Sequence, residues 1–118
     1  MARTSLTPLT ALGAYGSYSA NAADLAMTAA DIVNQNQATF GTKILLIAHN
    51  TGGSAQTVTV TSVTDPYNRD GDITTYSVGA GEYAVFGPFV PAGWLQSDGK
   101  LYFEADSADV LFGLVRLE

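Results

Sequence analysis

The chain has 118 residues, no cysteine, and eleven acidic side chains against five basic ones, for a net charge of −6. That length predicts one domain that buries roughly two-thirds of its unfolded surface, and the lack of cysteine excludes disulfides and thiolate metal sites. Five scattered cations make a poor match for a phosphate backbone, which needs clustered Lys and Arg, and a charged fraction of 14% against the usual ~25% suits a protein that covers another surface.

Residues 1–18 carry Leu6, Leu9, Leu12, Tyr15 and Tyr18, interrupted by Pro8, Gly13 and Gly16. They predict an extended N-terminal arm, with the sandwich domain proper at residues 19–118. A solvated tail rarely holds so many apolar side chains, so the arm is expected to order against something else. The segment lacks the apolar core of a signal peptide, and no apolar run reaches the ~18–20 residues of a membrane helix. Neither export by a standard route nor insertion in a bilayer is expected.

Asp24 to Ala29 reads as a short strand in which Leu25 and Met27 alternate. Asp31 to Phe40 is polar and reads as a loop, with Phe40 closing the core edge. Ile44 to Ala48 is a continuous apolar run, as in a strand buried on both faces. Asn50, Gly52 and Gly53 supply a reversal. Thr57 to Val63 then alternates, which predicts Val58 and Val60 in the core and Thr57, Thr59 and Thr61 on the other face. The two strands read as a hairpin.

Asp65 to Asp72 clusters Pro, Asn, Asp and Gly and reads as an exposed loop. Ile73 to Val78 and Tyr83 to Phe86 are strands around a turn at Val78 to Glu82, the second ending at Gly87-Pro88 because proline cannot donate to a central ladder. Asp98-Gly99 is a two-residue hairpin signal joining Gly93–Ser97 to Lys100–Ala105. Val110 to Leu117 is apolar enough for a central strand. About seven short strands with turns every ~8–12 residues predict an all-β fold, a single antiparallel β-sandwich of jelly-roll or Ig-like type.

Candidate chemistry is sparse. His49, the only histidine, has no nucleophile elbow to accompany it and reads as a structural hydrogen bonder. Asp65, Asn68, Asp70 and Asp72 contain calcium-ligand types, but counting from Gly71 puts Pro66 and Ser77 where an EF-hand needs Asp and Glu. Gly79-Ala80-Gly81 lacks the third glycine and helix of a dinucleotide site. Glu104 and Asp106 share a strand face without a signal for a cleft. No catalytic residue, cofactor or metal is expected. Trp94, Tyr102 and Phe103, with Tyr67, define the competing reading, a carbohydrate-binding sandwich.

Four stretches in order, DIVNQNQATF, ILLIAHNTGGSAQTVTVTS, GDITTYSVGAGEYAVFGPF and GWLQSDGKLYFEADSADVLFGLVRL, span about residues 22–118. Together they resemble small tailed-phage head proteins of the capsid decoration (cement) kind. The resemblance implies a non-enzymatic β-sandwich on the outer surface of the virion, made in the host cytoplasm, that stabilises the shell. Its implied partner is the major capsid protein, with no nucleic acid and no membrane. Self-association is expected too, a trimer before a monomer. The family offers no catalytic residues to carry over. Leu6, Pro8, Leu9, Leu12, Tyr15 and Tyr18 are the expected capsid or subunit contacts, on physical grounds alone, since the arm lies outside the matched stretch.

Overall fold

The computed structural model describes residues 3–11, 19–64 and 71–117. Ten strands and one helical turn follow in order: β1 (Thr4–Ser5), β2 (Leu9–Thr10), β3 (Thr28–Ala29), β4 (Asn36–Thr39), β5 (Lys43–Asn50), β6 (Gln56–Thr61), β7 (Ile73–Val78), β8 (Tyr83–Phe89), α1 (Pro91–Trp94), β9 (Lys100–Ala105) and β10 (Val110–Leu117). They form two layers. The first sheet runs β1-β4-β9-β6-β7; the second runs β2-β10-β5-β8, with β3 also on β10. The seven strands β4–β10 pair antiparallel, as a sandwich with short turns requires. Only the two N-terminal strands join in parallel.

The core is what the period of two dictates. Ile44, Leu46 and Ala48 of β5 face Val58 and Val60 of β6 and Leu101 and Phe103 of β9, all fully buried. Thr57, Thr59 and Thr61 are only partly buried, on the other face of β6. Val60→Ala is therefore expected to lower the unfolding free energy by about 1–3 kcal/mol, lost burial plus the cavity left behind. Urea denaturation checks it; a shift of a few tenths would place Val60 outside the core.

Four expectations about local structure need correction. The β5–β6 pair is not a hairpin: β5 lies in the second sheet and β6 in the first. The connection crosses the sandwich and is held by Asn50, fully buried at its start. The Asn50 amide donates to the Ser54 carbonyl at 2.8 Å and the Val78 carbonyl at 3.0 Å, and its Oδ1 accepts the Gly52 N–H at 2.9 Å. The polar stretch Asp31 to Phe40 is not all loop, because Asn36–Thr39 is a strand against β9 with Asn36 and Ala38 buried. Phe40 does pack against the core. Of Asp24 to Ala29, only Thr28–Ala29 pairs, while Leu25 and Met27 lie over Gly113 of β10. Gly93–Ser97 is not a strand. Pro91–Trp94 makes one turn with Gly93 at φ 93°, and the Asp98-Gly99 turn is closed by Gln96 N–H to Lys100 O at 2.9 Å.

β8 continues past Gly87-Pro88 to Phe89 because it is an edge strand, where a missing donor is tolerated. A shift of register accompanies the proline. Gly87 sits there at φ 104°, and a Cβ on it would come within 2.9 Å of the Ile44 carbonyl oxygen, so no side chain fits.

Residues 3–11 are laid onto the sandwich as a strap. β1 adds to the first sheet beside β4, the Leu6 N–H donates to the Gln37 carbonyl, Leu6 packs against the core, and β2 adds to the second sheet beside β10. The described part of the arm thus bridges both sheets at one edge.

Candidate interaction surface

The strap begins in a polar cluster. Arg3 donates to the Asn36 carbonyl at 2.9 Å, lies 4.2 Å from the centre of the Tyr102 ring, and stands 3.8 Å from the Glu104 carboxylate. The Tyr102 hydroxyl donates to Asp98 at 2.7 Å, and Gln35 donates to Glu104 at 2.7 Å. Asp98 and its charge push the Tyr102 hydroxyl above the usual phenol range. Glu104 is thus a tether for the strap. Asp106, the other carboxylate of that pair, accepts the Thr57 N–H at 2.9 Å. The two serve separate structural ends.

Beside the strap lies the turn that leads into β4. Asp31 organises it: Oδ1 accepts the Val33 and Asn34 N–H groups, each at 3.0 Å, and Oδ2 accepts the Thr4 hydroxyl and the Asn34 side-chain amide. The Asp31 N–H donates to the buried Asn36 side chain at 2.9 Å. An aspartate that bonds the backbone two and three residues ahead fixes a tight turn. The residues it fixes at the tip are Ile32, 53% exposed, and Val33, 71% exposed. Two large aliphatics are held out into solvent on a tied loop. Sequence reasoning passed over them inside a polar stretch. The usable signal was an Asp-x-x-Asn frame enclosing two aliphatics that such a turn cannot bury.

These hydrogen bonds hold the Asp31 carboxyl at about 2, the Asn34 N–H contributing most, then the Thr4 hydroxyl, with slight burial opposing. A depressed carboxyl stabilises the fold above the unfolded value and loses that contribution as pH falls through the folded value. The turn and its bond to the strap are therefore expected to be unchanged from neutral pH down to about pH 4 and to loosen as pH falls through about 2. Amide exchange at Val33 and Asn34, compared between wild type and Asp31→Ala, checks this. Asp31→Ala should exchange fast already at neutral pH. Equal protection in both proteins would contradict it.

The other expected site residues fall as follows. Leu6, Pro8 and Leu9 are partly buried on the sandwich itself; Leu12, Tyr15 and Tyr18 lie outside the described residues, as do Asp65, Tyr67, Asn68 and Asp70. Asp72 accepts the Ser62 hydroxyl at 2.7 Å and N–H at 2.8 Å, which hold its carboxyl below the usual range. Among the described residues no three His, Cys, Asp or Glu side chains converge as metal ligands, and no helix is long and apolar enough to cross a membrane. His49, expected as a hydrogen bonder, lies flat against Tyr83 with ring centres 3.8 Å apart and planes 7° from parallel. It stacks because β5 and β8 set the two residues directly opposite each other on the outer face.

Trp94, Tyr102 and Phe103 do not form a stacking platform. Phe103 is fully buried, Tyr102 lies under Arg3, and Trp94 packs on Phe89 at 4.6 Å. A cleft of about 410 Å³ opens between the strap and β3, with Thr4, Ser5, Thr7 and Thr28 around Phe112 and Leu114. Among the described residues that line it, none carries a side chain that is an acid or base near neutral pH.

Comparison of the chain with known protein families, characterised proteins and solved structures finds no match. The likeness to decoration proteins stands on the four sequence stretches alone.

Proposed function

We propose that the chain is a non-enzymatic structural protein of the decoration kind, binding the outer surface of an assembled phage head, with the major capsid protein as its partner. The observation that carries this reading is the Ile32–Val33 tip, tied by Asp31 and set beside the N-terminal strap. An apolar tip that is ordered before contact loses little freedom on binding. Full burial of each side chain is worth about 1.5–3 kcal/mol. The acidic balance of the chain favours the outside of a DNA-filled shell.

Because residues 3–11 supply two strands and a leucine packed against the core, deleting the arm would damage the fold as well as any contact. The better test is the double substitution Ile32→Asp with Val33→Asp, assayed by cosedimentation with heads of the phage that carries the gene. We expect wild type to bind, and the variant to bind at least about tenfold more weakly with an unchanged melting temperature. Wild type that fails to sediment with heads, or a variant that binds as well, overturns the reading.

A further inference from the structure

The second sheet presents an apolar outer face. On β5, the residues that point away from the core are Leu45, Ile47 and His49. Row by row they lie beside the outer residues of the neighbouring strands: His49 beside Tyr83 and Leu111, Ile47 beside Val85 and Gly113, and Leu45 beside Val115. A sheet with one face in water normally alternates apolar with polar residues. Here the second face is aliphatic and aromatic as well. The chain covers part of it with Leu25 and Met27 over Gly113. On the β8 side Tyr83 remains 65% and Val85 64% exposed.

The two ends of this face carry opposite charge. At one end stands Asp109, in the turn beside Gly52, with Glu82 in the adjoining turn, where its carbonyl accepts the Asn50 N–H. At the other end stands Lys43, the exposed first residue of β5, on the same side of the strand as Leu45 and Ile47. The face is therefore negative at one end, apolar in the middle and positive at the other. Such a pattern is complementary to itself turned end for end. A copy with its strands antiparallel sets Lys43 of each chain against the acidic end of the other and stacks the apolar rows. That is the condition for an isologous contact.

We propose that this face pairs two copies of the chain about a twofold axis, with Val85 and Ile47 at the centre and Lys43 and Asp109 as the complementary ends. The pairing does not depend on the shell-binding reading and uses a different surface from the Ile32–Val33 tip. Three strands about 4.8 Å apart and seven or eight residues long cover on the order of 400 Å². A standard stable interface needs about 800 Å² from each partner. The dimer is accordingly weak, and it forms at high local concentration.

Sedimentation equilibrium of the purified full chain across micromolar to millimolar concentration tests this. We expect a monomer that passes to a dimer as concentration rises. Val85→Asp should weaken the dimer at least tenfold without lowering the melting temperature. Lys43→Glu and Asp109→Lys should each weaken it, and the two together should recover it, because both contacts are then reversed in sign. That recovery keeps the test decisive should Val85→Asp fold poorly. A monomer at every concentration, a trimer, a dimer indifferent to Val85→Asp, or single reversals that the double variant does not rescue would overturn the proposal.

Discussion

Phe103→Ala should lower the unfolding free energy by about 3–5 kcal/mol, the range for removing a fully buried aromatic ring. Phe103 comes from β9 in the first sheet and meets Phe112 of β10 in the second, edge to face, with ring centres 4.9 Å apart. Both rings are essentially unexposed. The pair joins the two layers, so truncation removes apolar burial and leaves a void that neither sheet can close without moving. Phe103→Leu, which keeps most of the volume, should cost less than half as much. Urea denaturation with fluorescence of the single tryptophan measures both. A loss below about 1 kcal/mol for the alanine variant would contradict the packing described, since that is the ordinary effect of any substitution.

Asn50→Ala should cost about 2–4 kcal/mol, for a different reason. Its side chain is fully buried and makes three hydrogen bonds, to the Ser54 and Val78 carbonyls and from the Gly52 N–H. Each partner left without a bond costs about 1–3 kcal/mol where it stays buried, less where water reaches it. Asn50→Asp should be at least as damaging, because a buried carboxylate would face two carbonyl oxygens and could donate to neither. Thermal unfolding of both variants checks the assignment. An alanine variant within 0.5 kcal/mol of wild type, the scatter of neutral surface changes, would mean the crossing does not depend on this amide.

Asn50 also marks the limit of what could be read from the residues. The strands of strong alternation were legible: Val58 and Val60 lie inside and their threonines outside, and Val110–Leu117 is an interior strand. Which strands pair was not. A short polar turn between two apolar runs looks the same whether it closes a hairpin or crosses to the other layer, and here a buried side-chain amide decides. β4 was missed because Asn-Gln-Ala-Thr offers one apolar residue; of its two inward positions, one is filled by Ala38 and the other by Asn36, which is satisfied by hydrogen bonds rather than by apolar contact. The run Ile44 to Ala48 reads as buried on both faces, but only Ile44, Leu46 and Ala48 are buried; Leu45 and Ile47, on the other face, are half-buried. Within one chain, Leu25 and Met27 cover only part of the second face. Ile32 and Val33 were hidden by composition, since their polar neighbours outweigh them in any window average. The Asp31 hydrogen bonds that present them are tertiary in part, through Thr4 on the strap.

The proposed role places the gene in a phage, and electron microscopy of heads purified from that phage, with the gene intact and with it deleted, tests the central claim most directly. The proposed role predicts surface density on the outside of the intact shells that is missing from the deleted ones, restored by adding the purified chain but not by the Ile32→Asp, Val33→Asp variant. Shells identical in the two preparations, with the chain absent from the purified particles, would contradict it.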